Sequence, residues 1–232
     1  MLEYLKQIDQ ELLLLINGCH SPFFDNLMWL ISAKLTWVPF YASILYILIK
    51  NFNLKLTFIT VICITLVIVY CDQMCATVLR PIFERLRPSN LDNPISEFIH
   101  IVNNKRGGKY GFPSCHASNT FGLAVFLVLF FKQRSITIFS LFWATIVSYS
   151  RSYLGVHYPG DLLAGALVGL SGGTLVYYFY KTLLKINFII NFTEFYGKNR
   201  TLILEPNKIK HTSAFIYSGI LSILAFAVYS LF

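Results

Sequence analysis

Six apolar stretches, each close to the length a helix needs to cross a bilayer, constrain this chain more than any other feature. They run over about Leu27–Ile49, Leu54–Val78, Ser114–Phe131, Ile136–Tyr149, Leu162–Leu184 and Ala214–Leu231. About 20 consecutive apolar residues span a hydrocarbon core as a helix, so the reading is an all-α, polytopic membrane protein with six transmembrane helices. The fourth stretch is short and has to continue into its flanks. Only 13% of the 232 residues are charged, where a soluble domain carries about a quarter. The 21 Phe, 14 Tyr and 3 Trp suit lipid contact and interfacial belts. Length and the lack of internal repeats predict a single membrane-embedded domain over 1–232.

Residues 1–17 place Leu5, Ile8, Leu12 and Leu15 near helical spacing, with Glu3, Lys6, Asp9 and Gln10 between them. That pattern predicts a short amphipathic helix lying at the membrane interface. No cleavable signal peptide is expected, because the N-terminus lacks a basic start, an apolar stretch and a small-residue cleavage site.

The net charge is +8. The basic residues sit in the gaps between spans, so anionic lipid head groups account for them and nucleic acid does not. Six spans put both termini and the loops after spans two and four on one side. The loops after spans one, three and five lie on the other, including a basic loop over 185–212. That second side holds ten Lys and Arg against eight on the first, and five once Arg80, Arg87 and Arg151 are set aside for chemistry. The positive-inside rule makes it cytoplasmic, and the first side faces the periplasm or cell exterior.

Several residues inside the spans carry structural readings. Lys34 is read as a snorkelling lysine, with contact to a lipid phosphate as the alternative. Asp72 is read as a hydrogen-bonding or ion-pairing group within the bundle, with a site role as the alternative. Gly165, Gly169 and Gly173 recur every four residues, a spacing that lets helices pack closely. The five cysteines are odd in number and scattered, with no disulfide framework or zinc spacing. Cys71 and Cys75 are read as packing residues.

The uncommon polar residues gather in three clusters on the first side. One is Arg80-Pro-Ile-Phe-Glu-Arg-Leu-Arg87-Pro88, another Pro113-Ser114-Cys115-His116. The third begins at Ser150-Arg151 and continues through His157 to Asp161. Guanidinium groups match phosphate oxygens with forked donors. Ser114 stands where a helix begins, at a positive dipole end. Together these form an anion cradle beside two histidines, which is what phosphoryl transfer requires of a protein. Each cluster alone has a bland reading, a surface histidine or a helix end at a head group. Their combination on one side points to chemistry.

The clusters resemble the three-part signature of the type 2 phosphatidic acid phosphatases, which share a core with bacterial acid phosphatases and vanadium haloperoxidases. That signature is Lys-x6-Arg-Pro, Pro-Ser-Gly-His and Ser-Arg-x5-His-x3-Asp. The third part matches completely from Ser150 to Asp161. The first has Arg80 at the lysine position, and the second has Cys115 at the glycine position. Cys115 does not fit a cysteine phosphatase, because the residue six places on is Phe121 rather than arginine.

The resemblance implies a metal-independent lipid phosphatase with no cofactor. His157 would attack phosphorus and form a phosphohistidine, and Asp161 would orient it. His116 would protonate the leaving oxygen and then activate water. Arg80, Arg87, Ser114 and Arg151 would hold phosphate oxygens, with 80–113 as the active-site loop. The implied partner is a membrane lipid: undecaprenyl diphosphate, a lipid A phosphate or phosphatidylglycerol phosphate. Lys105, Arg106 and Lys109 are candidates for contact with a second phosphate or a sugar phosphate; the alternative is a solvated loop. The implied location is a bacterial inner membrane with the site facing the periplasm. A vanadate-dependent peroxidase-like enzyme and a non-catalytic lipid transporter are the competing readings. The first has no need of lipid access, and the second no need of the histidines.

Overall fold

The computed structural model describes residues 1–185 and 209–231. Among the described residues the regular elements are helices, and the one isolated antiparallel bridge joins Leu86 and Tyr110. The first helix, α1, spans Leu2–Gly18. It exposes Tyr4, Leu5, Leu12 and Leu15. A second stripe turns inward. Leu13 is fully buried against Ile95, Ile99 and Tyr158. Asn17 donates to the carbonyls of His100 and Tyr153 and accepts from the His100 amide. So α1 is fastened to the rest of the protein.

Helix α2 spans Pro22–Ser32 and starts at an N-cap serine, Ser21, whose Oγ accepts from the Phe24 amide, with proline in the first turn. Helix α3 spans Val38–Asn51. The two are bent by 72°, which corrects the expectation of one continuous span over Leu27–Ile49. The cause is local. Ala33 is extended. Thr36 Oγ1 donates to the Leu30 and Ala33 carbonyls, and the Trp37 indole donates to the Ile31 carbonyl at 2.9 Å. Side chains thus satisfy carbonyls that a continuing helix would have used. Lys34 stands at this break rather than within a helix.

Helix α4, Leu54–Gln73, passes through a π-helical turn at Met74–Leu79 into α5, Arg80–Phe83. Helix α6 spans Cys115–Phe131, α7 Arg134–Tyr153, α8 Pro159–Lys185 and α9 Ser213–Tyr229. By length and apolarity, the continuous Leu54–Phe83 and Pro159–Leu184 helices suffice to cross a bilayer, and the bent α2–α3 pair makes a third candidate. Helices α6 and α9 are apolar and 17 residues each. Of the basic loop expected over 185–212, residues 186–208, with Lys198, Arg200 and Lys208, lie outside the described residues.

Helix α6 is the centre of the bundle, packed on α4, α7 and α8. Its contact with α8 is backbone to backbone. A Cβ on Gly165, Gly169 or Gly173 would run into the carbonyls of Ser114, Ser118 and Gly122 respectively. On the other flank, Trp37, Phe40, Trp143, Phe215 and Phe226 interlock α3, α7 and α9 through edge-to-face and tilted ring contacts. Cys71 and Cys75 are buried in this packing.

Candidate active site

The three clusters meet at one end of the bundle. Glu84 adopts a left-handed conformation, φ 45°, and stops α5. The chain then runs extended through the Leu86–Tyr110 bridge, with the Gly111 amide donating to the Arg85 carbonyl and the Arg87 amide to the Lys109 carbonyl. Alternate residues of an extended segment share a face, so Arg85 and Arg87 both point into the site.

Arg87 is 9% exposed. Its Nε donates to the Tyr110 carbonyl at 3.1 Å, and one terminal nitrogen donates to the Val156 carbonyl at 3.1 Å. The same nitrogen lies 2.8 Å from His157 Nε2. Burial, and then Arg80 nearby, push Arg87 down to about 10, so it stays charged at neutral pH. His157 lies in the turn between α7 and α8, 1% exposed. Its Nδ1 is 3.3 Å from Asp161 Oδ2. A guanidinium only donates, so the contact with Arg87 fixes Nε2 as the acceptor and Nδ1 as the protonated nitrogen. Burial first, and then Arg87, hold His157 well below the usual imidazole range. The ring is neutral, with its lone pair facing the arginine.

Asp161, fully buried, begins the first turn of α8. Its Oδ2 also accepts from the Tyr158 amide at 3.0 Å, and its Oδ1 from Arg85 at 3.0 Å. Gly111 is where backbone passes closest. A Cβ there would sit 3.0 Å from Arg87 Cγ and 3.2 Å from Asp161 Oδ2.

Ser114 is the N-cap of α6, its Oγ accepting from the Ala117 amide at 3.5 Å and its own amide donating to the Asp161 carbonyl at 3.0 Å. Arg80 donates to Cys115 Sγ at 3.1 Å and to the Pro113 carbonyl at 3.4 Å. Arg151 donates to the hydroxyl of Ser32 on α2. Among the described residues, the Nε of Arg80 and of Arg151 are buried without partners, and such N–H groups are donors for an anion. His116, in the first turn of α6, lines an apolar cavity of about 420 Å³ between α3, α4, α6 and α7. Lys34, Asn119 and Thr120 share that end of the cavity, whose walls are Ile44, Ile64, Leu123 and their neighbours. Asp72 accepts from Asn119 at 3.4 Å.

The loop residues are not gathered into the cradle. Arg106 donates to the Ser89 carbonyl at 3.0 Å, and Lys109 pairs at 3.5 Å with Asp92, both exposed. Lys105 is exposed. Two residues that the sequence reading passed over do sit at the site, Arg85 and Asp9. Arg85 carried a faint signal, its even spacing from Arg87. Asp9 carried none beyond its place on the polar side of α1.

The chain belongs to the PAP2 superfamily, whose pattern matches residues 56–185. It is 47% identical to a lipid A 4'-phosphatase of Bacteroides thetaiotaomicron, over 100% of this chain and 99% of the relative. It is 36% identical to a lipid A 4'-phosphatase of Porphyromonas gingivalis, over 77% of this chain and 75% of the relative. In fold it is similar to the transmembrane PAP2-type phosphatidylglycerolphosphate phosphatase of Bacillus subtilis. That likeness has a TM-score of 0.57 at 23% identity and covers 79% of this chain and 89% of the other.

Proposed function

We propose that this protein is a lipid phosphatase that removes the 4'-phosphate of lipid A, through a phosphohistidine and without a metal ion. The full-length 47% identity to a lipid A 4'-phosphatase supports the substrate. One observation carries the chemistry: a neutral, buried histidine has its Nε2 lone pair on an arginine N–H and its Nδ1 on a buried carboxylate.

A phosphate dianion taken up by Arg80, Arg87, Arg151 and the α6 N-terminus puts phosphorus in line with His157 Nε2. The lone pair forms the N–P bond as the bond from phosphorus to the sugar oxygen breaks. His116, which takes up a proton as the phosphate dianion binds, gives that proton to the sugar oxygen and becomes neutral, and the dephosphorylated lipid leaves. His116 then takes a proton from water, whose oxygen attacks phosphorus; the N–P bond breaks and inorganic phosphate departs. Asp161 holds the Nδ1 proton throughout and stabilises the positive ring formed with the intermediate. Four cationic or dipolar donors supply the charge stabilisation that a metal would otherwise give. The cavity beside His116 suits an acyl chain, which would hold the phosphorus at the cradle.

We assign six crossings: α2–α3, α4–α5, α6, α7, α8 and α9. At ~1.5 Å per residue, the 17 residues of α6 and of α9 reach about 26 Å, near the lower limit for a span. The charge count supports a periplasmic site in an inner membrane. A cysteine at Lys105 should then react with an impermeant reagent from outside, and one at Lys132 should not. The reverse pattern would put the site in the cytoplasm. For the activity, phosphate release from lipid A should exceed that from undecaprenyl diphosphate and phosphatidylglycerol phosphate, and should vanish in His157→Ala. Near-normal turnover in that variant would remove the histidine from the mechanism.

A further inference from the structure

We propose that Asp9 and Arg85 are positioning residues for His157, which makes the N-terminal helix α1 a working part of the active site; this rests on the histidine mechanism above. Arg85 is held from three directions. One terminal nitrogen pairs with Asp161 Oδ1 at 3.0 Å, the other with Asp9 Oδ2 at 2.7 Å. Its guanidinium carbon lies over the Tyr158 ring, 3.9 Å from the centroid. Asp9 is fixed in turn, its Oδ1 accepting from the Gly160 amide at 2.7 Å, at the start of α8. The result is a line of contacts from α1 to the nucleophile: Asp9, Arg85, Asp161, His157.

The line has an electrostatic purpose. Asp161 is shut off from water, and a buried carboxylate needs a counter-charge. Arg87 does not supply it by contact, since its donors go to His157, Tyr110 and Val156. Arg85 does. With Arg85 present, the carboxylate is neutralised by the guanidinium, and His157 can remain an uncharged ring with Nε2 unprotonated, facing Arg87. Without Arg85, no cation touches Asp161, and its charge is balanced by a proton, taken either by the carboxyl itself, which weakens its hold on Nδ1–H, or by the imidazole. An imidazolium carries a proton on Nε2 and cannot attack phosphorus. The charged groups Arg80, Arg87 and Arg151 face His157 and act against a positive ring; Arg85 works by cancelling Asp161, the carboxylate in contact with that ring. Asp9 holds the guanidinium in place by pairing its second terminal nitrogen, and it bonds Gly160, next to Asp161. An arginine here cannot be replaced by a point charge without loss, because one planar group bridges two carboxylates.

The test uses the full-length protein in detergent or vesicles, with lipid A as substrate and vanadate as inhibitor. Arg85→Met should lower kcat roughly 10- to 100-fold at neutral pH, the range for losing a partner that orients a reactive histidine, with little change in KM. Its rate should recover as pH rises, because a raised His157 pKa moves the acid limb of the kcat profile upward. Arg85→Lys should restore the acid limb but not the full kcat. Asp9→Asn keeps an acceptor for Gly160 and loses the charge. It should lower kcat in the same direction by a smaller factor, and the Asp9→Asn/Arg85→Met double variant should be no worse than Arg85→Met. Vanadate inhibition should be unchanged in all of them, since the phosphate cradle is intact. Wild-type kcat and pH profile in both Arg85→Lys and Asp9→Asn would overturn the proposal, and those two variants decide the matter should Arg85→Met not accumulate. Activity surviving in His157→Ala would instead defeat the histidine mechanism, a separate failure.

Discussion

Replacing Asp161 by asparagine removes one charge and almost no volume, and the local geometry dictates the outcome. Oδ1 faces an Arg85 N–H at 3.0 Å; Oδ2 faces the Tyr158 amide at 3.0 Å and His157 Nδ1 at 3.3 Å. All three neighbours donate. Asparagine offers one acceptor oxygen and one NH2 group, so one side must meet donor with donor. If the oxygen stays with Tyr158 and His157, the NH2 confronts Arg85. A buried donor left unsatisfied costs about 1–3 kcal/mol, equivalent to roughly 5- to 150-fold if it falls on the transition state. If the oxygen turns to Arg85, the NH2 faces Nδ1. That nitrogen must then accept, the ring proton moves to Nε2, and the attacking lone pair is gone. The same tautomer error in a Ser-His-Asp triad lowers kcat about 10⁴-fold. Asp161→Asn should therefore lose between roughly 5-fold and 10⁴-fold in kcat, according to which way the amide turns, with KM within a few-fold and normal accumulation in membranes. Initial rates of phosphate release measure the first quantity. An alkaline quench of a single turnover should show the phosphoenzyme forming more slowly than in wild type. A kcat within threefold of wild type would refute the assignment of Asp161 as the group that sets the tautomer of His157.

Activity should persist in excess EDTA and fall with vanadate, which mimics five-coordinate phosphorus; loss in chelator with recovery in magnesium would contradict the arginine cradle. Ile64→Trp, filling the cavity beside His116, should cut kcat/KM for lipid A about tenfold or more, the scale of losing a few kcal/mol of anchoring, and leave a small soluble phosphate ester unaffected in a parallel assay. Gly169→Val drives a side chain into the Ser118 carbonyl and the Gly122 amide. Backbone cannot yield as a side chain does, so the cost should exceed the ~1–3 kcal/mol of ordinary overpacking, and the Tm in detergent should drop or the protein fail to accumulate. His157 has a depressed pKa in the fold, so the unfolded chain binds more protons near pH 6. Its contribution to stability is complete above the unfolded value of about 6.5 and falls as pH drops through it. Tm at pH 5.5 should lie below Tm at pH 7.5, with a smaller gap in His157→Gln.

The long apolar helices were legible because burial in lipid leaves a compositional trace along every turn. Leu54–Val78 and Leu162–Leu184 appear as the apolar bodies of α4 and α8, each extended by polar ends that the hydropathy does not mark. The bend between α2 and α3 was not legible. It depends on the Thr36 hydroxyl and the Trp37 indole reaching back to carbonyls, a choice that composition does not encode. The helix starts earlier than Leu27, at Pro22 behind the Ser21 N-cap, because a cap and a first-turn proline lie outside the apolar run that hydropathy marks. In the site, the three motifs named the residues that the fold brings together, since spacing around a turn or helix end survives in sequence. Asp9 was invisible because its partners, Arg85 and Gly160, are far along the chain, and an acid on the wet side of an amphipathic helix is the ordinary case. Arg106 shows the converse: a basic residue in a loop that looked free serves the loop itself, through Ser89.

The glycine seam between α6 and α8 bears on how a bulky lipid gets in and out. In the proposed mechanism the general acid, His116, sits on the first turn of α6 and the carboxylate that orients the nucleophile, Asp161, on the first turn of α8. Backbone contact along the seam makes those two helices a single stiff post. Thermal breathing of the bundle therefore leaves His116 and Asp161 in fixed register, like two jaws machined from one block. On the proposed mechanism, a path for an acyl chain would lie on the opposite wall, where α2 and α3 turn at Ala33, because a seam of backbone against backbone leaves no room for one.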